Sequence, residues 1–172
     1  MPMTAAYDAT IRVHYNVLSV QNGGMLPGDI DDGTARRAAM THIVAANAQQ
    51  LCIAVKQNVA SIALRIEVWD STPTTPPPGS WDGWHDATFD CPSGAVEVDN
   101  TTGGRVLFTP GDDTRIPVPP GLIHATVYLA GRIEAAEAVM EAVTAPADVR
   151  MSRLQALAGL ERNAIQLAPD RG

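Results

Sequence analysis

The chain has 172 residues with 45% apolar side chains and a formal net charge of −7, enough to bury a core without disulfide or metal staples. The balance argues against a nucleic-acid partner: Lys56 is the only lysine and the arginines are scattered, whereas a phosphate-binding face needs clustered cations. Residues 1–10 lack the basic and apolar regions of a signal peptide, and no stretch reaches the ~20 apolar residues of a membrane span, so the expected location is the cytoplasm. The expected domain is a single one spanning 1–172.

In chain order, Thr10 to Val20 alternates, with Ile11, Val13, Tyr15 and Val17 on one face, and predicts a strand. Glycines and prolines between Asn22 and Gly33 break it. The alanine-rich run that follows predicts a helix from Thr34 to Asn47, capped by Asp31 or Asp32, with Ala39, Ile43 and Val44 on its apolar side. Leu51–Lys56 and Ser61–Trp69 read as a hairpin. In its second arm Ile62, Leu64, Ile66 and Val68 should face the core, and Arg65, Glu67 and Trp69 should face out. Pro73 to Pro78 is a stiff extended corner.

Ala87–Cys91 and Ala95–Asp99 read as a second hairpin around Gly94, and Gly103-Gly104 as a turn into a strand over Arg105–Phe108. Gly111 to Gly121 is a loop, and Leu122–Leu129 a strand. Arg132 to Thr144 shows helical apolar spacing with interleaved glutamates. A further helix follows Pro146, with Asp148 as its cap and Gly159 as its stop, and Arg162–Leu167 reads as a closing strand. These elements predict a mainly β fold, a single-domain antiparallel β-sandwich with about three short helices.

Several groups of residues invite a chemical reading. Trp81, Asp82, Trp84, His85 and Asp86 stand within six positions and suit either a stacking patch for carbohydrate or peptide, or an aromatic plug for the open end of the sandwich. His85 with Asp82, Asp86 and Asp90 offers oxygen and nitrogen ligands, but the spacing fits neither a zinc nor a calcium signature. A Cys91–His85 pair is conceivable, yet no nucleophile signature surrounds Cys52 or Cys91. Those two cysteines read as buried free thiols, with one disulfide the other option. The double glycines match no phosphate-binding pattern, so no catalytic residue, metal or cofactor is expected.

One sequence pattern is similar to a family. The strand ending at Asp70 and Ser71, the proline corner, GWHDATFD, SGAVEVD, RVLF, HATVYLAGRIEAA and GLERNAIQL occur in an order similar to that of a widespread actinobacterial group. That group shows GWDDVVE-like, VRVHARGRDEA-like and ERYLLQLWP-like segments. The order of elements also resembles the competence protein J family, small cytoplasmic β-sandwich proteins that inhibit a partner nuclease. The likeness runs over Leu51–Leu167; Asn163 and Ala168 stand where the group usually has tyrosine and tryptophan. It implies a β-sandwich and an inhibitor-like role, and carries over no functional residue.

The expected function is therefore a non-catalytic, cytoplasmic protein-interaction module, an inhibitor or immunity-type partner of a basic enzyme. Trp69, Trp81, Trp84 and His85 are its candidate partner-binding residues. The competing readings are a small-ligand, carbohydrate or metal-dependent site around Trp81–Asp90, and a phage or scaffold structural protein. Trp69 has the parity of an outer face, where either the helix Arg132–Thr144 or a partner should cover it.

Overall fold

The computed structural model describes residues 2–25, 33–100, 106–111 and 113–171. Two five-stranded sheets face each other. The first has the order β1 (Met3–Ile11), β5 (Ile62–Trp69), β10 (Arg162–Pro169), β9 (Gly121–Ala130) and β6 (Gly83–Cys91). The second has the order β3 (Val44–Ala46), β4 (Gln50–Ala54), β2 (Val17–Asn22), β7 (Ala95–Asp99) and β8 (Arg115–Pro117). One continuous core fills the space between them, built from the alternating inward residues of both sheets. Ile62, Leu64, Ile66, Val68, Phe89, Val127 and Ile165 meet Leu18, Val20, Leu51, Ile53, Val96 and Val98. The expected β-sandwich and the inward face of β5 are thus present. All described strand pairs are antiparallel except β5–β10, which is parallel.

Strand partners differ from the sequence reading in three places. The strand expected over Thr10–Val20 is two strands in different sheets. β1 ends at Ile11, and the chain turns through Tyr15 (φ 55°) and Asn16 (φ 61°) into β2. Asn16 holds this corner: its Nδ2 donates to the Val55 carbonyl at 3.1 Å, and its Oδ1 accepts from Asn58 Nδ2 at 2.9 Å. Asparagine tolerates a left-handed backbone, so a turn forms without glycine or proline. The two expected hairpins are likewise corners between sheets. β4 and β5 lie in opposite sheets, as do β6 and β7. Alternation fixes which face a residue takes, and leaves its neighbouring strand open.

The first helix is α1 (Thr34–His42), shorter than expected. Ile43 takes φ 72° and the chain goes straight into β3, where Val44 pairs with Ile53. Gly33 occupies the N-cap position with no side-chain cap. The expected caps Asp31 and Asp32, the Gly103-Gly104 turn and Arg105 lie outside the described residues. Of the strand expected over Arg105–Phe108, Phe108 makes an isolated bridge to Asp113. The helices α2 (Arg132–Thr144) and α3 (Ala147–Ala156) stand where the sequence places them, though α3 starts after Pro146 with no cap from Asp148. Gly131 at the start of α2 has φ 71°, and a Cβ there would collide with the Leu160 carbonyl oxygen.

That close approach brings together a buried charge network. Glu161 is fully buried, and its Oε1 lies 3.1 Å from Arg132 Nη1. Its Oε2 accepts the backbone N–H of Lys56 at 2.8 Å and of Gln57 at 2.7 Å. Gln57, also fully buried, in turn accepts the Glu161 N–H on its Oε1 at 2.8 Å. Arg132 Nη1 further donates to the Ala54 carbonyl. Burial pushes the Glu161 carboxyl above its ordinary range, against the pull of the two amides and Arg132; burial likewise lowers the Arg132 guanidinium.

Glu161→Ala should destabilise the fold by about 3–5 kcal/mol in urea denaturation, because it strands a largely buried guanidinium and two amide donors. A raised folded-state pKa means that the native protein holds this proton more tightly than the unfolded chain. The resulting contribution is complete below the ordinary glutamate range and is lost as pH rises through the folded value. Glu161→Gln should remove that part of the pH dependence, seen as a flatter plot of urea midpoint against pH than in the wild type.

Candidate functional site

The outward residues of the first sheet form the face on which the sequence candidates fall. Strand register sets Asp8 beside Arg65, Arg65 beside Ala164, Ala164 beside Tyr128, and Tyr128 beside Trp84. One row further along, Glu67, Gln166, Thr126 and Asp86 line up in the same way. The proline-rich corner is a strap across this face. Gln166 Nε2 donates to the Thr75 carbonyl at 3.1 Å, Arg162 Nη2 to the Ser80 carbonyl at 3.3 Å, and Trp81 Nε1 to the Pro77 carbonyl at 2.9 Å.

Glu67, expected to face solvent, is 1% exposed. Its carboxylate accepts from Arg65 Nε at 2.8 Å, Gln166 Nε2 at 3.0 Å and Trp69 Nε1 at 3.3 Å. Arg65 also reaches Asp8 at 3.0 Å, and its pKa rises with the Glu67 hydrogen bond as the largest cause. Trp69 does take the outer parity and is half-buried, but α2 is not its cover. Trp69 ends β5 beside Met3. α2 springs from the end of β9 that, through Arg162, is level with Ala63 at the opposite end of β5.

Trp81 is half-buried, with its ring centroid 5.9 Å from that of Tyr128 and the Arg162 guanidinium 5.7 Å above it. Trp84 lies on the other side of Tyr128, on the edge strand β6, and is 66% exposed. Asp82 and Asp86, on either side of Trp84, are exposed as well. The Asp82 carboxylate accepts the Gly131 N–H at 2.7 Å, and Asp86 Oδ1 accepts the Thr126 hydroxyl at 2.7 Å and lies 3.3 Å from His124 Nε2. A groove of about 460 Å³ continues from Trp81 toward β1, lined by Arg65, Arg162, Pro78, Leu107 and Asp8 among others. Aromatic rings and arginines on a fixed platform are the usual composition of an energetic centre in a protein interface.

The structure therefore brings Trp81 and Trp84 onto one face around Tyr128. Trp69 lies at a corner of the same sheet, and His85 takes the opposite face of β6, beside Val127. Tyr128, Arg162 and Arg65 were not singled out by the sequence. Their outward parity was readable, but the strap that gathers them was not. His85 and Cys91 point to the same side of β6 six residues apart, about 20 Å along a strand, so they form no nucleophilic pair. Cys52 packs under α1 with Val17, Ala35 and Ala39, whereas Cys91 sits in the central core, and the two form no disulfide. Burial pushes the Cys91 thiol up. Among the described residues, no three His, Cys, Asp or Glu side chains are grouped to hold a metal, and no helix is long and apolar enough to cross a membrane.

No family model and no curated protein sequence matches the chain. Two solved structures share its fold. One is ComJ from Bacillus subtilis, an inhibitor of the DNA degrading activity of NucA, with a TM-score of 0.57 and 12% identity over 98% of each chain. The other is the product of crocagin biosynthetic gene J, with a TM-score of 0.55 and 15% identity over 98% of this chain and 100% of that one. The distant resemblance to the competence protein J family is thus present at the level of fold.

Trp81→Ala should lower stability by about 1–3 kcal/mol, since it removes a ring packed against Tyr128 and Arg162 beneath the strap. Trp84→Ala should change it by less than about 0.5 kcal/mol, as expected of a side chain with few contacts. Thermal melts of the two variants beside the wild type give both differences.

Proposed function

We propose that this chain is a cytoplasmic, non-catalytic protein-interaction module of the inhibitor type, and that its contact with a basic enzyme centres on Trp84. The observation that carries the reading is the exposure of Trp84 on an edge strand, across from Tyr128 and flanked by Asp82 and Asp86. An exposed indole set among carboxylates suits a partner surface that joins an apolar slot to surrounding cations. Two further facts support the reading. The net charge of −7 favours association with a cationic surface. The same fold occurs in ComJ, an inhibitor of the DNA degrading activity of NucA.

A second reading has its own observation. Asp86, Thr126 and His124 form a hydrogen-bonded group beside the exposed Trp84 ring, an arrangement that also suits a sugar hydroxyl. A screen of oligosaccharides and divalent cations that shifts neither tryptophan emission nor melting temperature removes it.

The immobilised chain should retain a stoichiometric partner from native lysate at low salt, and release it progressively as salt rises. Trp84→Ala should reduce retention by about tenfold or more, in keeping with the ~2 kcal/mol threshold of an interface centre, without changing the melting temperature. Equal retention by wild type and Trp84→Ala in quantitative mass spectrometry would overturn this placement of the contact. The absence of any stoichiometric partner would overturn the inhibitor reading.

A further inference from the structure

The edges of the two sheets are not finished alike. An edge strand exposes a row of N–H and C=O groups with which another chain can pair, and most folds blunt it. In the second sheet the edge strands β3 and β8 have three residues each. In the first sheet β1 has a break in register between Met3 and Ala5, and Asp8 near its middle exchanges both backbone hydrogen bonds with Thr109, at 3.0 and 2.9 Å. β6, the other edge of that sheet, has neither device. It pairs with β9 in unbroken register from Gly83 to Cys91, and it contains no proline, lysine or arginine.

Two hydrogen bonds show which backbone groups of β6 point away from the sheet. Leu122 turns its carbonyl to the Asp170 N–H, away from β6, and Asp90, opposite it in β6, turns its N–H away from β9 to the Ala48 carbonyl at 2.6 Å. Residues of an antiparallel pair alternate between bonding the partner strand and facing away from it. Trp84, Asp86 and Thr88 are in step with Asp90, so their N–H and C=O groups face outward. Among the described residues these groups have no backbone partner. All three side chains are exposed on the outer face of the sheet. On the inner face His85 and Ala87 are only half-buried, with Ala87 packed against the core. The core is thus incompletely covered where β6 ends the sheet.

These features define the strand that fits there. Its backbone meets the outward N–H and C=O groups of Trp84, Asp86 and Thr88, as in β-strand addition. Its inward side chains lie beside His85 and Ala87 and need to be apolar. Its outward side chains lie beside Trp84, Asp86 and Asp90 and need to be cationic, because opposite charges on neighbouring strands stabilise the pair and like charges destabilise it. The same rule disfavours a second copy: two β6 edges paired antiparallel about Asp86 would set Asp86 against Asp86 and bring Asp82 to Asp90. We propose that β6 is a docking edge for an extended segment of the partner protein in which basic and apolar residues alternate. The proposal rests on the reading that a basic partner contacts Trp84, and adds that the contact runs through the backbone as well as the side chains.

A short peptide of alternating lysine and valine, acetylated and amidated, is the probe, added to the intact chain. It should change tryptophan emission, an effect lost in Trp84→Ala, and bind about tenfold or more tightly than the glutamate–valine peptide. In NMR-detected hydrogen exchange the Trp84, Asp86 and Thr88 amides should be slowed about tenfold or more by the bound peptide. A strand pairs along one edge only, so N-methylation of alternate peptide residues should abolish binding in one phase and leave it within about twofold in the other. Thr88→Pro removes an outward N–H without touching the bonds to β9, and should weaken the peptide about tenfold or more. A peptide that alters Trp84 emission, protects none of these amides and tolerates methylation in both phases overturns strand addition and leaves the Trp84 contact standing. A peptide that neither alters emission nor protects these amides also overturns strand addition, and retention of the lysate partner by wild type against Trp84→Ala then judges the Trp84 contact separately.

Discussion

The carboxylate of Glu161 is the point on which the chain's long-range connections meet. It lies just before β10, the central strand of the first sheet. It binds the loop after β4 through two amides and the start of α2 through Arg132. A buried carboxylate is tolerated only where nearly all its lone pairs are filled, so its partners are held tightly in place. The segment from Ala54 to Gln57 belongs to the second sheet's side of the sandwich, Arg132 to the helical layer and Glu161 to the first sheet. One buried carboxyl group therefore fixes how three layers meet. Both ionic partners fall within the sequence segments GRIEAA and GLERNAIQL, so part of the pattern that marks the family resemblance has a structural explanation.

The outer face of the first sheet uses a different device. A sheet face rich in Glu67, Gln166 and Arg65 would normally remain open to water. Here the strap lies over it and supplies backbone carbonyls to Gln166, Arg162 and Trp81. Prolines suit this work: they keep the strap extended and have no N–H to leave unsatisfied against the sheet. Its end delivers Trp81 onto Tyr128 and leads directly into β6, where Trp84 emerges. The same few residues thus close a polar face and set the geometry of the candidate contact.

The sequence yielded the layers of this fold more readily than its connections. Period-2 alternation placed the inward face of β5 correctly because burial acts on every second residue of a strand. It could not reveal that β4 and β5, or β6 and β7, sit in opposite sheets, because a corner and a hairpin use the same glycines and polar residues. The break at Tyr15 and Asn16 was hidden for a related reason: its left-handed backbone is held by Val55 and Asn58, which are distant in sequence. Trp81 and Trp84 were legible as a pair by proximity alone. His85, their immediate neighbour, lies on the other face of β6 because strand neighbours diverge. Glu67 shows the limit most plainly, for its burial depends on a strap whose landing place no local pattern encodes.

The parallel pairing of β5 with β10 has a consequence for biosynthesis. The two strands meet between residues such as Ala63 and Arg162, roughly a hundred residues apart, and closing so long a loop is slow. Translation at about 5–20 residues per second separates their emergence from the ribosome by several seconds. Throughout that interval β5 has β1 on one side and an unpaired edge on the other, with Ile62, Leu64, Ile66 and Val68 lacking their final cover. A nascent chain in this state offers an adhesive strand to any similar chain nearby. Polysomes crowded with this message would therefore depend on holding chaperones in a way that a sandwich built from consecutive hairpins would not.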